Sequence, residues 1–465
     1  MLIRYFRIND PYRLVGLFII MILIQLPLFL DLPGLTVPEL KNILLGEKLN
    51  EGNSMYTGLV DNTGPLAAWF QEFTETLFGR SLLGRHIFGF VLVFLQSAFL
   101  GIMFITRKVH NENTYIPSFI FCVLFCFSFD AITISADLIG STFLLFAMNN
   151  IFKEIEFRVQ PDETVLNIGL FISLASLFSF GFGVFLVCAM LVLVFFTRST
   201  PRKFALLIFG FLLPHLLVLS ISYFNDSLGK MWEYYYLSNL GFGRDTFISF
   251  KSLIVLSAVP LLYFLISVVM LQREARFSKY QSQVLQINFL WIGFSLLYVL
   301  YAKNLRPQNL IVFIPPFAFL FTHFFLFIRR KKFIEVNIWV LFVGTILISY
   351  LARYQKIGSV DYSKLLVSSE ASANKRVLVL KNDLNLYNGN SLATPYLNWR
   401  LSEDIFRHPE YYENVTEVYH HFKADAPQEV VDPENLMAPF FQRIPELRSE
   451  YSRQGDRYIK REPRR

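Results

Sequence analysis

The chain alternates between apolar stretches of roughly 15–20 residues and short charged loops, and no other feature restricts its fold so strongly. A helix of about 20 apolar residues crosses the hydrocarbon of a bilayer. A soluble chain of 465 residues has no interior that hides 54% hydrophobic residues, 51 of them Phe, with only 17% charged. The pattern therefore predicts an all-α polytopic membrane bundle. The net charge of +7 does not indicate nucleic acid, because the basic residues flank apolar spans and follow membrane topology instead.

About eleven spans are predicted, near 14–30, 84–105, 116–129, 137–152, 165–179, 181–197, 204–223, 252–271, 284–301, 308–328 and 333–352. The competing reading fuses 165–197 into one helix broken at Ser179-Phe180-Gly181-Phe182-Gly183, which would flip every later loop. Charge decides between them. With Arg4, Arg7 and Arg13 inside, the groups Arg107/Lys108, Lys153/Arg158, Arg198/Arg202/Lys203, Arg273/Arg276/Lys279 and Arg329 to Lys332 share that side only if 165–197 crosses twice. This puts the N-terminus in the cytoplasm and the C-terminus outside, in the inner (cytoplasmic) membrane. The first apolar stretch runs into Asp31-Leu32-Pro33-Gly34 rather than a small-x-small cleavage site, so it is expected to remain as an anchor. Cys122, Cys126 and Cys188 all lie within predicted spans and read as small packing residues, with no outer disulfide, metal or redox role.

Residues 1–352 form the transmembrane domain on this reading, and 353–465 a small extracytoplasmic α/β domain, polar and punctuated by Asn, Gly and Pro. Arg376 to Lys381 and Gln428 to Asp432 read as strands, Pro439 to Tyr451 as helix, and Ile459 to Arg465 as a loose basic tail. The first outer loop holds two amphipathic stretches. Leu40, Ile43, Leu44 and Leu49 mark one; Leu66, Trp69, Phe70, Phe73, Leu77 and Phe78 mark the other. They either cap the bundle or wall a groove for a lipid-linked substrate.

Taken in order, Pro38-Glu39, Asn50-Glu51-Gly52, Tyr56 and Asp61-Asn62-Thr63-Gly64-Pro65-Leu66 with Trp69 resemble the first outer loop of the GT-C superfamily of membrane glycosyltransferases. That superfamily includes protein mannosyltransferases and the aminoarabinose transferase of lipid A. Phe78 to Ser81 with Arg85, Ser135-Ala136-Asp137 before Phe143 to Ala147, and Arg306 before Ile314-Pro315-Pro316 extend the resemblance over roughly residues 14–330. The loop motifs, together with Asn390 to Pro395, also resemble membrane proteins of Bacteroidota to which no activity attaches. The superfamily resemblance implies a GT-C-like fold, a polyprenyl-phosphate-linked sugar as donor, and Arg306 facing the lipid phosphate.

Two departures bear on activity. The family's base, an Asp that deprotonates the acceptor, falls at Pro38, and its phosphate-facing Lys falls within Thr63-Gly64. Glu39 and Asp61 are the substitute catalytic candidates, with Asp31 third; Glu39 is equally a helix-capping residue and Asp61 a turn former. Arg306, Arg244 and Lys251 are the candidate phosphate cations, and Tyr56 and Asp137 join them as binding candidates. Asp137 has a structural alternative, pairing with Arg85 or Arg306 to lock helices together. Trp232 to Tyr236, with Asn239 to Arg244, offers aromatics for a sugar, a lipid path or an interface belt. His420-His421 reads as surface, and no phosphate-binding Gly-rich loop, metal cluster or Ser-His-Asp set appears. Two functions follow: a transferase that moves a sugar from a polyprenyl-phosphate donor to an extracytoplasmic acceptor, or a catalytically inactive GT-C-like scaffold in a cell-envelope membrane complex. A transporter is disfavoured, since paired broken spans are lacking.

Overall fold

The computed structural model describes residues 2–156, 161–197, 200–241, 243–274, 277–368 and 374–461. Arg158, Arg198, Arg276 and the last four residues of the predicted tail lie outside them. Every predicted span coincides with a helix or a pair of helices. Among the described residues, six helices are long and apolar enough to cross a membrane, and a seventh arises if Phe250–Leu256 and Ala258–Leu271, bent by 69°, count as one. The chain is a multi-pass membrane protein.

It divides into two compact units. The first comprises Met1–Pro33, Ser81–Val218 and Phe242–Lys364. At its centre, Ile116–Phe125 is buried at every position and packs on Ile314–Phe327, which is buried from Ile314 through Phe325. Burial on all sides suits uniformly apolar helices and explains why so short a segment as Ile116–Phe125 is stable here. Peripheral helices instead expose apolar side chains, as at Leu23, Leu26, Phe209, Leu216, Val340 and Leu347, the faces that meet lipid. Glu163–Phe178 ends at Ser179, whose extended backbone (φ −134°, ψ 108°) leads into the turn Phe180–Gly183 and the helix Val184–Phe196. Both readings of 165–197 put an interruption at this point, and one is present. Gly169 and Gly210 let Glu163–Phe178 and Pro201–Phe224 touch backbone to backbone: a Cβ on Gly169 would stand 2.1 Å from the Leu207 carbonyl oxygen, and one on Gly210 2.3 Å from that of Leu166. A two-strand parallel ribbon, β1 (Asp245–Thr246) with β2 (Asn304–Leu305), leads directly to Arg306.

The second unit gathers Gly34–Arg80, Leu219–Gly241 and Leu365–Arg465. Its sheet comprises β3 (Arg376–Val379), β4 (Ser391–Leu392), β5 (Glu429–Val431), β6 (Tyr451–Gln454) and β7 (Arg457–Lys460), in the order β4-β3-β5-β7-β6. β3 runs parallel to β4 and β5, and β7 is antiparallel to β5 and β6. The two expected strands are β3 and β5. The expected helix at 439–451 is instead two, Met437–Arg443 and Pro445–Glu450, because Pro445 cannot continue a helix. Ile459 and Lys460 are not loose tail but part of β7, in a hairpin turned at Gly455 (φ +65°). Leu40, Leu44, Leu45 and Leu49 of the first outer helix share one core with Val377, Val379, Tyr387, Leu392 and Val431 of the sheet. The amphipathic stretch at 40–49 therefore covers a sheet face, and Leu35 and Val37 strap onto Leu365 and Val367 through backbone hydrogen bonds.

Candidate functional site

Glu39 sits in the first turn of Val37–Asn50 behind the cap Thr36. The Thr36 amide and hydroxyl donate to Glu39 Oε2 at 3.1 and 2.8 Å, and the Glu39 amide returns a bond to Thr36 Oγ1 at 3.3 Å. This is a complete capping box, stabilising the helix start by about 1 kcal/mol. Pro38 at the second helical position fits for the same reason, since its missing N–H would have no partner there.

Asp61 is wholly buried at the start of the Asp61-Asn62-Thr63-Gly64 turn. Lys41, two residues beyond Glu39, reaches Oδ1 at 2.7 Å, and the Asn398 amide donates to the same oxygen at 3.1 Å. The Thr63 backbone N–H (3.2 Å) and the Thr63 hydroxyl both donate to Oδ2. Burial alone would raise this carboxyl. The charge of Lys41 and the donors Lys41, Thr63 and Asn398 outweigh it and hold Asp61 below the usual carboxylate range. Tyr56, itself buried with φ +73°, donates from its hydroxyl to the Thr63 carbonyl at 2.8 Å and so props the same turn. Val60 donates to the Pro395 carbonyl, Asn398 donates back to the Val60 carbonyl, and Asn239 donates to that of Asn62. The Asn-Thr-Gly-Pro-Leu and Asn390-to-Pro395 motifs, more than 300 positions apart in sequence, thus lie side by side.

In the first unit, Asp137 opens Ala136–Glu154 behind the cap Ser135. Arg306 donates from Nη2 to its Oδ2 at 2.8 Å, Tyr298 donates its O–H to Oδ1 at 2.8 Å, and Asn309 approaches Oδ2 at 3.3 Å. Arg306 and Asp137 are 8% and 6% exposed, which makes the pair a buried one. Of the two alternatives for Asp137, its partner is Arg306, while the Arg306 Nε is buried without a hydrogen bond among the described residues. Arg244 and Lys251 are exposed near the β1–β2 ribbon, Arg244 lying 5.2 Å over the Phe250 ring. Asp31 is held by Arg353 at 3.0 Å.

The structure thus joins Tyr56 to the Asp61 turn and Arg306 to Asp137. Sequence reasoning missed Lys41, Asn398 and Asn239 around Asp61, and Tyr298 and Asn309 around Asp137. For Asn309 there was a signal, an amide three residues after an Arg and just inside a helical turn. Lys41 carried none, because its partner lies twenty residues away across a turn.

Comparison with known proteins bears on these sites. Residues 77–358, more than half of the chain, match DUF6427, a family of unknown function. The chain belongs to that family. No curated protein matches it. Among solved structures, ArnT from Cupriavidus metallidurans bound to undecaprenyl phosphate superposes with a TM-score of 0.56 at 11% identity, over 96% of this chain and 97% of ArnT. Its apo state gives 0.54 at 11% identity with the same coverage. The archaeal oligosaccharyltransferase AglB from Archaeoglobus fulgidus, in complex with an inhibitory peptide and a dolichol-phosphate, gives 0.47 at 9% identity over 97% of this chain and 74% of AglB. The DUF6427 chain therefore has an ArnT-like fold over nearly its whole length, as the motif order led one to expect.

Proposed function

We propose that this DUF6427 protein is a GT-C-like scaffold that binds a polyprenyl-phosphate carrier and performs no sugar transfer itself. One observation carries the reading: the two leading substitutes for the family's base have structural employment, Glu39 in a capping box and Asp61 closed by four hydrogen-bond contacts from Lys41, Asn398 and Thr63. A general base needs a free lone pair within reach of the acceptor hydroxyl and a pKa near the working pH, and Asp61 meets neither condition. Carrier binding is supported by the likeness to ArnT, a protein crystallised with undecaprenyl phosphate, and by the exposure of the cations Arg244 and Lys251, which leaves them accessible to an anionic ligand. The transferase reading keeps one observation of its own, since Lys41 and Asp61 unite a cation and a carboxylate in the loop where the family uses both.

The finer assignments belong to the same proposal: eleven spans, N-terminus in the cytoplasm, a transmembrane domain over 1–352, an extracytoplasmic domain over 353–465, the inner membrane of a Bacteroidota-type cell, and partners in an envelope complex. Native mass spectrometry of the protein in nanodiscs with undecaprenyl phosphate tests the core of it. A one-to-one adduct is expected, weakened severalfold by Arg244→Ala with Lys251→Ala and unchanged by Glu39→Gln. Absence of the adduct in the unsubstituted protein would refute carrier binding.

A further inference from the structure

The first unit encloses a small cavity lined by Gln96, Ser141 and Trp291 and by apolar side chains that include Phe121, Leu144 and Pro315. Leu82–Thr106, Ile116–Phe125, Ala136–Glu154, Lys279–Tyr301 and Ile314–Phe327 each contribute to its wall. Gln96 and Trp291 are both 1% exposed, so neither exchanges its hydrogen bonds with bulk solvent.

Two groups on that wall are complementary and unmet. Gln96 Nε2 donates to the Leu138 carbonyl at 2.9 Å, to Ser141 Oγ at 3.2 Å and to Thr142 Oγ1 at 2.8 Å. A backbone carbonyl only accepts, so the amide nitrogen belongs on that side and the amide oxygen on the other. Among the described residues Gln96 Oε1 receives no hydrogen bond, and the Trp291 indole N–H gives none. The Trp291 ring packs against Phe185 with centroids 4.4 Å apart, so close packing restrains it from turning in search of an acceptor. A buried Trp N–H normally has a partner, and two unmet groups together cost more than immobilising one water molecule.

Chemistry and size together restrict the occupant. An acceptor and a donor on one wall call for a hydroxyl, which serves both. The cavity measures about 10 Å³, close to the least that holds one water and too small for a hydroxyl carried on a lipid chain. Ser141 gives its own hydrogen to the Leu138 carbonyl at 2.7 Å, which leaves Oγ free to act as a further acceptor. A molecule there meets three polar partners, the usual number for a buried water. We propose that this cavity binds one ordered water, which accepts from the Trp291 indole and donates to Gln96 Oε1 and Ser141 Oγ. The water ties Lys279–Tyr301 to Leu82–Thr106 and Ala136–Glu154. Two turns beyond Trp291 on the same helix, Tyr298 donates to Asp137 at 2.8 Å, so the water also helps to fix the helix that supplies this donor. The site stands independently of the carrier-binding reading above.

Proton-detected solid-state NMR of the full chain in nanodiscs, with nitrogen-15 in the tryptophan indoles alone, tests it. The chain has 5 Trp, and the signal lost in Trp291→Phe identifies the one in the cavity. At mixing times too short for chemical exchange, magnetisation should pass to the Trp291 indole proton from water and not from lipid acyl chains. Gln96→Leu, which removes the acceptor on the opposite side, should lower that transfer about fivefold. Transfer from acyl chains alone would give the cavity to lipid, and no transfer from either source would make it dry; both results overturn the proposal. Equal transfer in the parent and in folded Gln96→Leu overturns the bridge to Gln96. The parent spectrum separates water, lipid and a dry cavity by itself, so the test holds even where the variant fails to fold.

Discussion

Asp61 and Asp137 are both buried carboxylates at the start of a local structure, each held by a cation and by neutral donors, and both behave as anchors. Removing one partner from such a pair leaves a charge without compensation. Asp61→Asn should strand Lys41 and lower stability by about 3 kcal/mol, read as a fall in melting temperature in detergent. Arg306→Ala should cost a similar ~3–5 kcal/mol, and adding Asp137→Asn should recover a large part of it, the non-additivity expected of contacting residues. Additive losses would mean that the pair contributes nothing as a pair. Stability should also fall as the solution is acidified from pH 6.5 towards 4. His421 has a folded value of about 4 against an unfolded value near 6.5, so the unfolded chain takes up more protons across that window. The loss at pH 5 is on the order of 1 kcal/mol after allowing for partial exposure. Glu417, raised by burial, acts in the opposite sense above its ordinary value. His421→Phe should therefore flatten melting temperature between pH 4 and 6.5, and an unchanged slope would exclude His421 as its source. Asp61, held low, contributes stability above its unfolded value and loses it only in stronger acid. Glu39 and Asp61 were legible as candidates because the motif order puts them in the loop where the family keeps its base, and the capping and turn roles that they fill were legible as the alternative. Their partners Lys41, Asn239 and Asn398 were not, because these converge only through tertiary contact.

At the scale of elements, apolar length told where helices lie but not which of them face lipid. Ile116–Phe125 and Arg13–Leu30 are both strongly apolar, yet one is buried throughout and the other exposes Leu23, Leu26 and Leu30. Hydropathy is silent on that difference, since core and lipid are equally apolar. The β6–β7 hairpin escaped notice because its residues, Tyr451–Gln454 and Arg457–Lys460, are too polar to alternate clearly. Close helix crossings carry the sharpest element-level prediction. Gly169→Val and Gly210→Val should each separate Glu163–Phe178 from Pro201–Phe224 and destabilise by roughly 2 kcal/mol, while Gly229→Ala, where a Cβ meets nothing within 4 Å, should change little. Equal effects at all three glycines would remove close packing as the cause.

For the whole molecule, the order of weak motifs pointed to the fold that ArnT shares, although only 11% of positions are identical. Order survives divergence because it reflects the succession of helices and loops rather than any one side chain. The division into units was less legible: Leu40 and Leu44 look like an interfacial helix in sequence, yet they complete the core of a sheet that begins more than 300 residues later. The orientation proposed here predicts that a periplasm-active reporter fused after residue 352 works and that one placed at 107–108 fails; the reverse pattern would invert the topology. The central claim, a carrier-binding fold without transfer, meets its most direct test in one assay on purified protein supplied with a lipid-linked sugar pool, with the release of free polyprenyl phosphate followed over time. Bound carrier without release is expected. Release that disappears in Glu39→Gln or Asp61→Asn while the protein stays folded would contradict it.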